Sequence, residues 1–169
     1  SSNLWRRHST SSTLSTKSIM NNNFTETYDF LVSIIGSAPY GIIAIDLDGS
    51  ISMCNKLALQ QLNIKFKAKE VIETGLLNYT KDVPKLHKKI VQCLDKGRKA
   101  FNINNITITD KTLNIKGRPI LNGMIITTAD ITEAKAMERK IMNAMLEGQE
   151  NERKRLSREI HDGIGPLMS

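Results

Sequence analysis

The sequence predicts an α+β domain, a five-stranded antiparallel sheet with helices on one face, followed by a long C-terminal coiled-coil helix. Three observations carry this reading. Runs rich in β-branched residues are broken by the turn dipeptides Asp48-Gly49, Asp110-Lys111 and Asn122-Gly123. Over residues 57–62 and 82–95 the apolar residues recur at helical spacing instead. Residues 133–165 show no β signal and contain no proline.

Taken in order, residues 1–19 are rich in Ser and Thr, lack acids and show no period. They read as a leader or a disordered tail, with Met20 as the natural start. Tyr28, Leu31, Ile34 and Ile35 then predict a short helix over 27–35, capped by Thr25 or Thr27 and ended by Ala38-Pro39. Residues 41–46 and 50–54 form a hairpin. Asn55 stands where a helix cap belongs, ahead of Leu57, Ala58, Leu59 and Leu62. Residues 64–80 are irregular, with short helical turns. A longer helix is expected over 82–95, with Val83, Leu86, Ile90 and Leu94 on one stripe and Gly97 closing it. Strands follow over 99–109, 112–120 and 124–131. The domains are therefore 1–19, 20–132 and 133–169.

Hydrophobic residues at 40% and charged residues at 24% are the balance of a soluble globular protein. Aromatics are only 5%, so the core must rest on Ile, Leu, Val and Met. No apolar run approaches a membrane span, and a cytoplasmic location is expected. Cys54 and Cys93 match no ligand or redox spacing and read as thiols of a reducing compartment; no metal site is expected. The net charge of +7 divides into +3 over residues 1–20, +4 over 21–132 and zero over 133–169. An excess this diffuse argues against nucleic acid as a partner.

The segment Ser37-Ala-Pro-Tyr-Gly-Ile-Ile-Ala-Ile-Asp46, then Asp48-Gly-Ser-Ile51 and Asn55, resembles the opening of PAS domains. Asp130-Ile131-Thr132 resembles the triplet that closes them and starts an output helix. The resemblance covers residues 27–132 and implies a PAS sensor. Asp130 and Thr132 then couple sensor to output, with Thr132 accepting from a free amide of the helix's first turn and Glu133 placed favourably there.

The last segment carries more information. Met137, Ile141, Ala144 and Met145, then Leu156, Ile160, Ile164 and Leu167, recur at helical spacing, with no apolar residue over 149–155. A helix through all of 133–169 is about 55 Å long, too long to pack on a domain of this size. It needs a partner, most simply a second copy, so a homodimer through residues 133–168 is expected. Within it, Glu150-Asn-Glu-Arg-Lys-Arg-Leu-Ser-Arg-Glu-Ile-His-Asp-Gly-Ile-Gly165 resembles, almost residue by residue, the phosphoacceptor box of the nitrate-sensor class of two-component histidine kinases. The resemblance makes His161 the phosphoacceptor and Asp162 the carboxylate that orients it or acts as base.

These residue types suit the chemistry. A neutral imidazole, with an ordinary pKa of about 6.5, is a good nucleophile near neutrality. A carboxylate bonded to one ring nitrogen fixes the tautomer and frees the other lone pair. Adjacent helical residues point about 100° apart, so the contact is not automatic. Arg155 and Arg158, about two turns and one turn before His161, are placed to neutralise an incoming phosphate. Of the other histidines, His8 lies in the leader and His87 in the sensor.

The chain departs from the family at two points. An amide often stands five residues after the histidine, linked to phosphatase activity; here it is Pro166, which also favours a bend at a cost of about 3 kcal/mol. The ATP-binding domain and the second dimerisation helix are missing from the sequence, so ATP and Mg belong to a domain outside it. As a piece of a longer kinase, the chain is expected to accept phosphate but not to autophosphorylate alone. The expected partner is a response regulator receiver domain. Ile43, Ile45, Met53, Leu57, Leu62, Ile90 and Ile126 are expected to line the PAS interior. That interior is read as packed without a cofactor, with a small-molecule ligand as the alternative. Haem on His87 is disfavoured by the lysines beside it, and neither cysteine lies in a flavin-adduct motif. The rival readings are a PAS ligand-binding or dimerisation module without kinase output and a DNA-binding regulator. The neutral segment 133–169 offers no basic region for the second.

Overall fold

In the computed structural model, residues 4–95 and 97–168 are described. A helix, α1 (Leu4–Ser37), leads into the hairpin β1 (Gly41–Asp46) and β2 (Ile51–Cys54). Short helices α2 (Lys56–Gln61) and α3 (Ala68–Val71), a 3-10 turn at Leu76–Asn78 and α4 (Pro84–Leu94) follow. Strands β3 (Phe101–Ile108), β4 (Lys111–Ile120) and β5 (Gly123–Asp130) complete one sheet, and α5 (Thr132–Met168) leaves it. The strand order is β2-β1-β5-β4-β3, and the five strands are antiparallel.

Period-2 alternation sends one face of this sheet inward. Ile43 and Ile45 of β1, Leu113 and Ile115 of β4, and Met124 and Ile126 of β5 are at most 1% exposed. Leu59, Leu62, Val71, Leu76, Leu86, Ile90 and Cys93 cover them from the helical side. Of the expected interior residues, Ile43, Ile45, Leu62, Ile90 and Ile126 are buried, while Met53 and Leu57 are only half-buried. On β2 the inward position is Ile51, because the register with β1 shifts between Ala44 and Ile45.

The turns follow their chemistry. Gly49 sits at φ +87, and the Asp48 carboxylate accepts from Ser50 N at 3.0 Å. The β3–β4 turn falls one residue earlier than expected, at Thr109-Asp110, with Thr109 at φ +56. β3 also carries a bulge between Ile103 and Ile106, where Asn105 takes φ +58 and its amide donates to Asn114 Oδ1. The long helix of the sensor starts at Pro84 rather than near residue 82, since proline suits the first helical position.

α1 is the largest departure. A helix expected only over 27–35 begins at Leu4. Residues 4–35 contain no glycine or proline, so nothing interrupts it, although Ser and Thr are weak helix formers. Thr25 and Thr27 are not caps: their hydroxyls donate back to the carbonyls of Asn21 and Asn23, four residues earlier.

Candidate functional site

Two junctions fasten the flanking helices to the sheet. At the first, Asn55 caps α2 and is 3% exposed. Its Oδ1 accepts from Ile42 N and Ala58 N, each at 3.0 Å, and its Nδ2 donates to Ile35 O at 2.9 Å and Tyr40 O at 3.0 Å. One amide thus ties the end of α1, the start of β1 and the first turn of α2, with all four hydrogen-bonding positions used. Next to it Gly41 pairs with Thr128, and a Cβ on Gly41 would lie 2.0 Å from Thr128 Oγ1. The Thr128 hydroxyl donates to the buried Gln61 Oε1 at 2.5 Å.

The second junction starts α5. Asp130 Oδ1 accepts from both the amide and the hydroxyl of Thr132, the amide at 2.9 Å. These bonds hold the Asp130 carboxyl below its ordinary value. Thr132 Oγ1 in turn accepts from Thr112 N on β4, and Ile131 N donates to Thr112 O. Thr132 therefore does not accept from the first turn of α5, as its sequence position had suggested. Asp130 takes the capping role, because α5 begins at Thr132 itself, and the Thr132 hydroxyl fastens the helix to the sheet.

Farther along, every residue from 136 to 163 is exposed. Met137, Ile141, Met145, Leu156 and Ile160 are 45–60% exposed. At 100° per residue, His161 points about 100° away from Ile160 and about 140° from Leu156, off the apolar side. It is exposed, and so is Asp162. Asp162 lies on the side of α5 that carries Arg155, Arg158 and Glu159. The structure gives no hydrogen bond between His161 and Asp162, as their angular separation implies. Arg155 is engaged at both ends, by Glu152 Oε1 at 2.8 Å and Glu159 Oε1 at 2.7 Å. Arg158 makes no ion pair among the described residues, which leaves it the freer of the two cations expected near a phosphate. The side chains of Ile164 and Leu167, expected on the apolar stripe, and those of Pro166 and His8 lie outside the described residues.

In the sensor lobe, His87 Nδ1 is 2.9 Å from Thr80 Oγ1, a bond invisible in the sequence that holds the ring against the turn before α4. Burial raises the Cys54 and Cys93 thiols above their ordinary value, with the Arg98 charge opposing this at Cys93. A cleft of about 380 Å³ opens between Leu62, Tyr79 and Val83, at the ends of the helical segments, and the bulged strand at Ile106 and Ile108. No helix among the described residues is long and apolar enough to cross a membrane.

No family model matches the chain, and no curated protein matches it. Solved structures do. The PAS domain of Bordetella pertussis BvgS covers 75% of this chain and 98% of its own length, at 19% identity and a TM-score of 0.51. The lobe has the PAS fold. The sensor region of a sensor histidine kinase covers 59% of this chain at 19% identity and a TM-score of 0.50, and the match spans only 43% of that region's length. Phage VqmA, solved as a complex with DPO, covers 72% of this chain and 61% of its own at 12% identity and a TM-score of 0.50. The PAS lobe is thus followed directly by α5.

Proposed function

We propose that this chain is the sensing and phosphoacceptor part of a two-component histidine kinase, in which the PAS lobe controls phosphorylation of His161 for transfer to a response regulator. The observation that carries the reading is the 16-residue box over 150–165, with its histidine exposed on α5 and turned off the apolar side. The fold is in keeping with a sensory module, since the similar structures include the sensor region of a sensor histidine kinase and the PAS domain of BvgS.

A homodimer through residues 133–168 presents His161 outward on each helix while the apolar side is covered. His161 attacks the γ-phosphorus with one ring nitrogen, and ADP leaves from ATP held by a separate domain. The imidazolium then loses its remaining proton to a carboxylate or to water. Asp162 reaches that proton only after a rotamer change or a local rotation of the helix, since the two side chains diverge here. Arg158 is placed one turn before the acceptor to stabilise the transferring phosphoryl. A small molecule in the PAS cleft near Tyr79 and Ile106 is the proposed form of stimulus, transmitted through Asp130, Thr132 and Thr112.

Incubation with ATP, Mg and the parent protein's ATP-binding domain tests this. The chain should acquire acid-labile, alkali-stable phosphate, His161→Gln should abolish it, and His87→Gln should leave it. Asp162→Asn should slow labelling without changing helical content. Normal labelling of His161→Gln would overturn the assignment, and no labelling of the wild type would favour a PAS dimerisation module without kinase output.

A further inference from the structure

The charge of the PAS lobe is not shared evenly between its faces. Residues 56–99, which hold α2, α3, the 3-10 turn and α4, carry ten lysines and one arginine against four acids, a net +7. The rest of residues 21–132 carries three basic and six acidic residues, a net −3. The +4 that is diffuse along the sequence is thus gathered by the fold into one layer. Leu59, Val71, Leu76, Leu86 and Ile90, at least one from each of these elements, turn inward on the same sheet face and leave the outer surface of the layer to the lysines.

Lys65, Lys67, Lys69, Lys81, Lys85 and Lys88 are exposed there. None forms an ion pair among the described residues, whose ion pairs all lie on α5. Unpaired like charges at this density repel one another, a cost that an anionic partner removes.

Three features select the partner. Lysine outnumbers arginine ten to one in this layer, and a compact ammonium suits a diffuse negative field, whereas the planar fork of arginine suits phosphates and bases read singly. No single groove gathers the cations. Lys85 lines the cleft at Tyr79 and Ile106, Lys89 and Lys99 border a separate hollow beside Phe101, and Lys65, Lys67 and Lys69 line neither. A spread of this kind matches a broad surface rather than an extended peptide or a small anion. Finally, Phe66 is 54% exposed between Lys65 and Lys67, its ring resting at one side on Tyr79, 5.7 Å away and tilted by 58°. A ring held out between two cations can enter the acyl boundary while the lysines stay at the headgroups.

We propose that the helical layer of the PAS lobe docks on an anionic lipid bilayer, with Lys65, Lys67 and Lys69 at the headgroups and Phe66 inserted between them. The docking is independent of any phosphoacceptor role of His161.

Co-sedimentation of the full chain with vesicles tests this, using phosphatidylcholine alone and phosphatidylcholine with about 30% phosphatidylserine. The mixed vesicles should bind the chain and the neutral ones should not. Raising salt from about 0.1 M to about 0.5 M should lower the association constant at least about tenfold. Lys65→Gln/Lys67→Gln/Lys69→Gln should weaken binding about a hundredfold, at about fivefold per lysine. Lys116→Gln/Arg118→Gln, on the outer sheet face, should change it less than about twofold, because that face lies away from the lipid. Phe66→Trp should shift its emission to the blue on the mixed vesicles, beyond any shift of the wild type, whose one tryptophan is Trp5. Equal binding to neutral vesicles, or no binding to either kind, would overturn the docking. An equal loss in the outer-face pair would overturn its location, as would no loss in the triple variant, which would leave binding to the basic residues of 1–20. An emission unchanged from the wild type would overturn the insertion of Phe66. Tighter binding of a duplex oligonucleotide than of the mixed vesicles at the same salt would assign the layer to nucleic acid and overturn the lipid. The substituted side chains are exposed, so each variant should keep the wild-type melting temperature. If one does not, the Phe66→Trp emission and the wild-type comparison of the two vesicles decide.

Discussion

Ile43, Ile115 and Ile126 in the PAS lobe are fully buried, whereas Ile34, Ile141 and Ile160 in the flanking helices are 48–60% exposed. In the lobe each such side chain contributes about 1.5–3 kcal/mol of burial, and this stability belongs to a single chain. On α1 and α5 the same side chain contributes little until another surface covers it. The lobe's stability is therefore independent of dilution, while that of the helices should depend on concentration if they pair as proposed for α5. The difference lies in sequence period. Alternating and clustered apolar residues let the lobe close on itself, whereas the apolar residues of a helix that leaves the lobe stay exposed in the single chain.

The sharpest way to break the comparison is inside the lobe. Gly41→Val puts a branched side chain where even a Cβ would meet Thr128 Oγ1 at 2.0 Å and the Ala58 backbone at 2.6 Å. It should cost about 3 kcal/mol or more and lower the lobe's melting temperature by over about 10 °C. Helical signal from α1 and α5 should survive on circular dichroism at temperatures where the lobe has melted. Loss of both signals in one transition would show that the helices lean on the lobe after all.

Asn55→Ala comes next. It strands four backbone partners of one buried amide, and a loss of about 2–3 kcal/mol is expected in urea titrations. Asn55→Asp keeps the two accepting bonds, loses the two donated ones and should fall between. Indistinguishable midpoints for all three proteins would remove Asn55 as the fastener of α1.

For the helices, Ile141→Ser should change the stability of the isolated chain by less than about 0.5 kcal/mol, as for any exposed position. Its effect should appear instead in the concentration dependence of the helical melt. A hundredfold dilution should lower that melt in the wild type and leave the lobe's transition unmoved. A wild-type helical melt independent of concentration would contradict the dimer.

The most local effect belongs to the second junction. Asp130→Ala removes the α5 cap and should cost about 1 kcal/mol locally, seen as faster amide exchange at Thr132. The carboxyl is held below its ordinary 3.8 by the Thr132 bonds. Its contribution is therefore complete above that value and is lost as pH falls through the lowered one. Because Asp130 is exposed, solvent screening keeps the effect small. Protection at Thr132 should drop below about pH 4 in the wild type and not in Asp130→Ala.

Much of the lobe is legible in the residues themselves. Asp48-Gly49 places its hairpin, the alternating isoleucines give the inward face, and Asn55 announces a cap. Its other three bonds are not legible, because Ile35, Tyr40 and Ile42 reach it only through the fold. The Thr109 turn and the Asn105 bulge escape for a related reason: both place non-glycine residues at positive φ, which tertiary context supports and local composition does not reveal. α1 was hidden by its own chemistry, since a Ser/Thr-rich segment without acids resembles a tail, and only the absence of any breaker argues for a helix. At the candidate site the sequence singles out His161 and Asp162 as candidates, but not their divergence or the engagement of Arg155 by Glu152 and Glu159. The exchange of roles between Asp130 and Thr132 likewise turns on the single residue at which α5 begins.

The pairing of Gly41 with Thr128 has an evolutionary consequence. Because the chain arrives and departs at neighbouring strands, everything between residues 38 and 131 is an excursion from a path that nearly closes on itself. Such a module can be spliced between two helices, or exchanged for another of the same ends, provided the helical phase on either side is kept. Chimeras cut at Ser37 and Thr132 should therefore tolerate foreign sensors better than chimeras cut within the lobe, and insertions in whole heptads should be accepted where single-residue insertions are not.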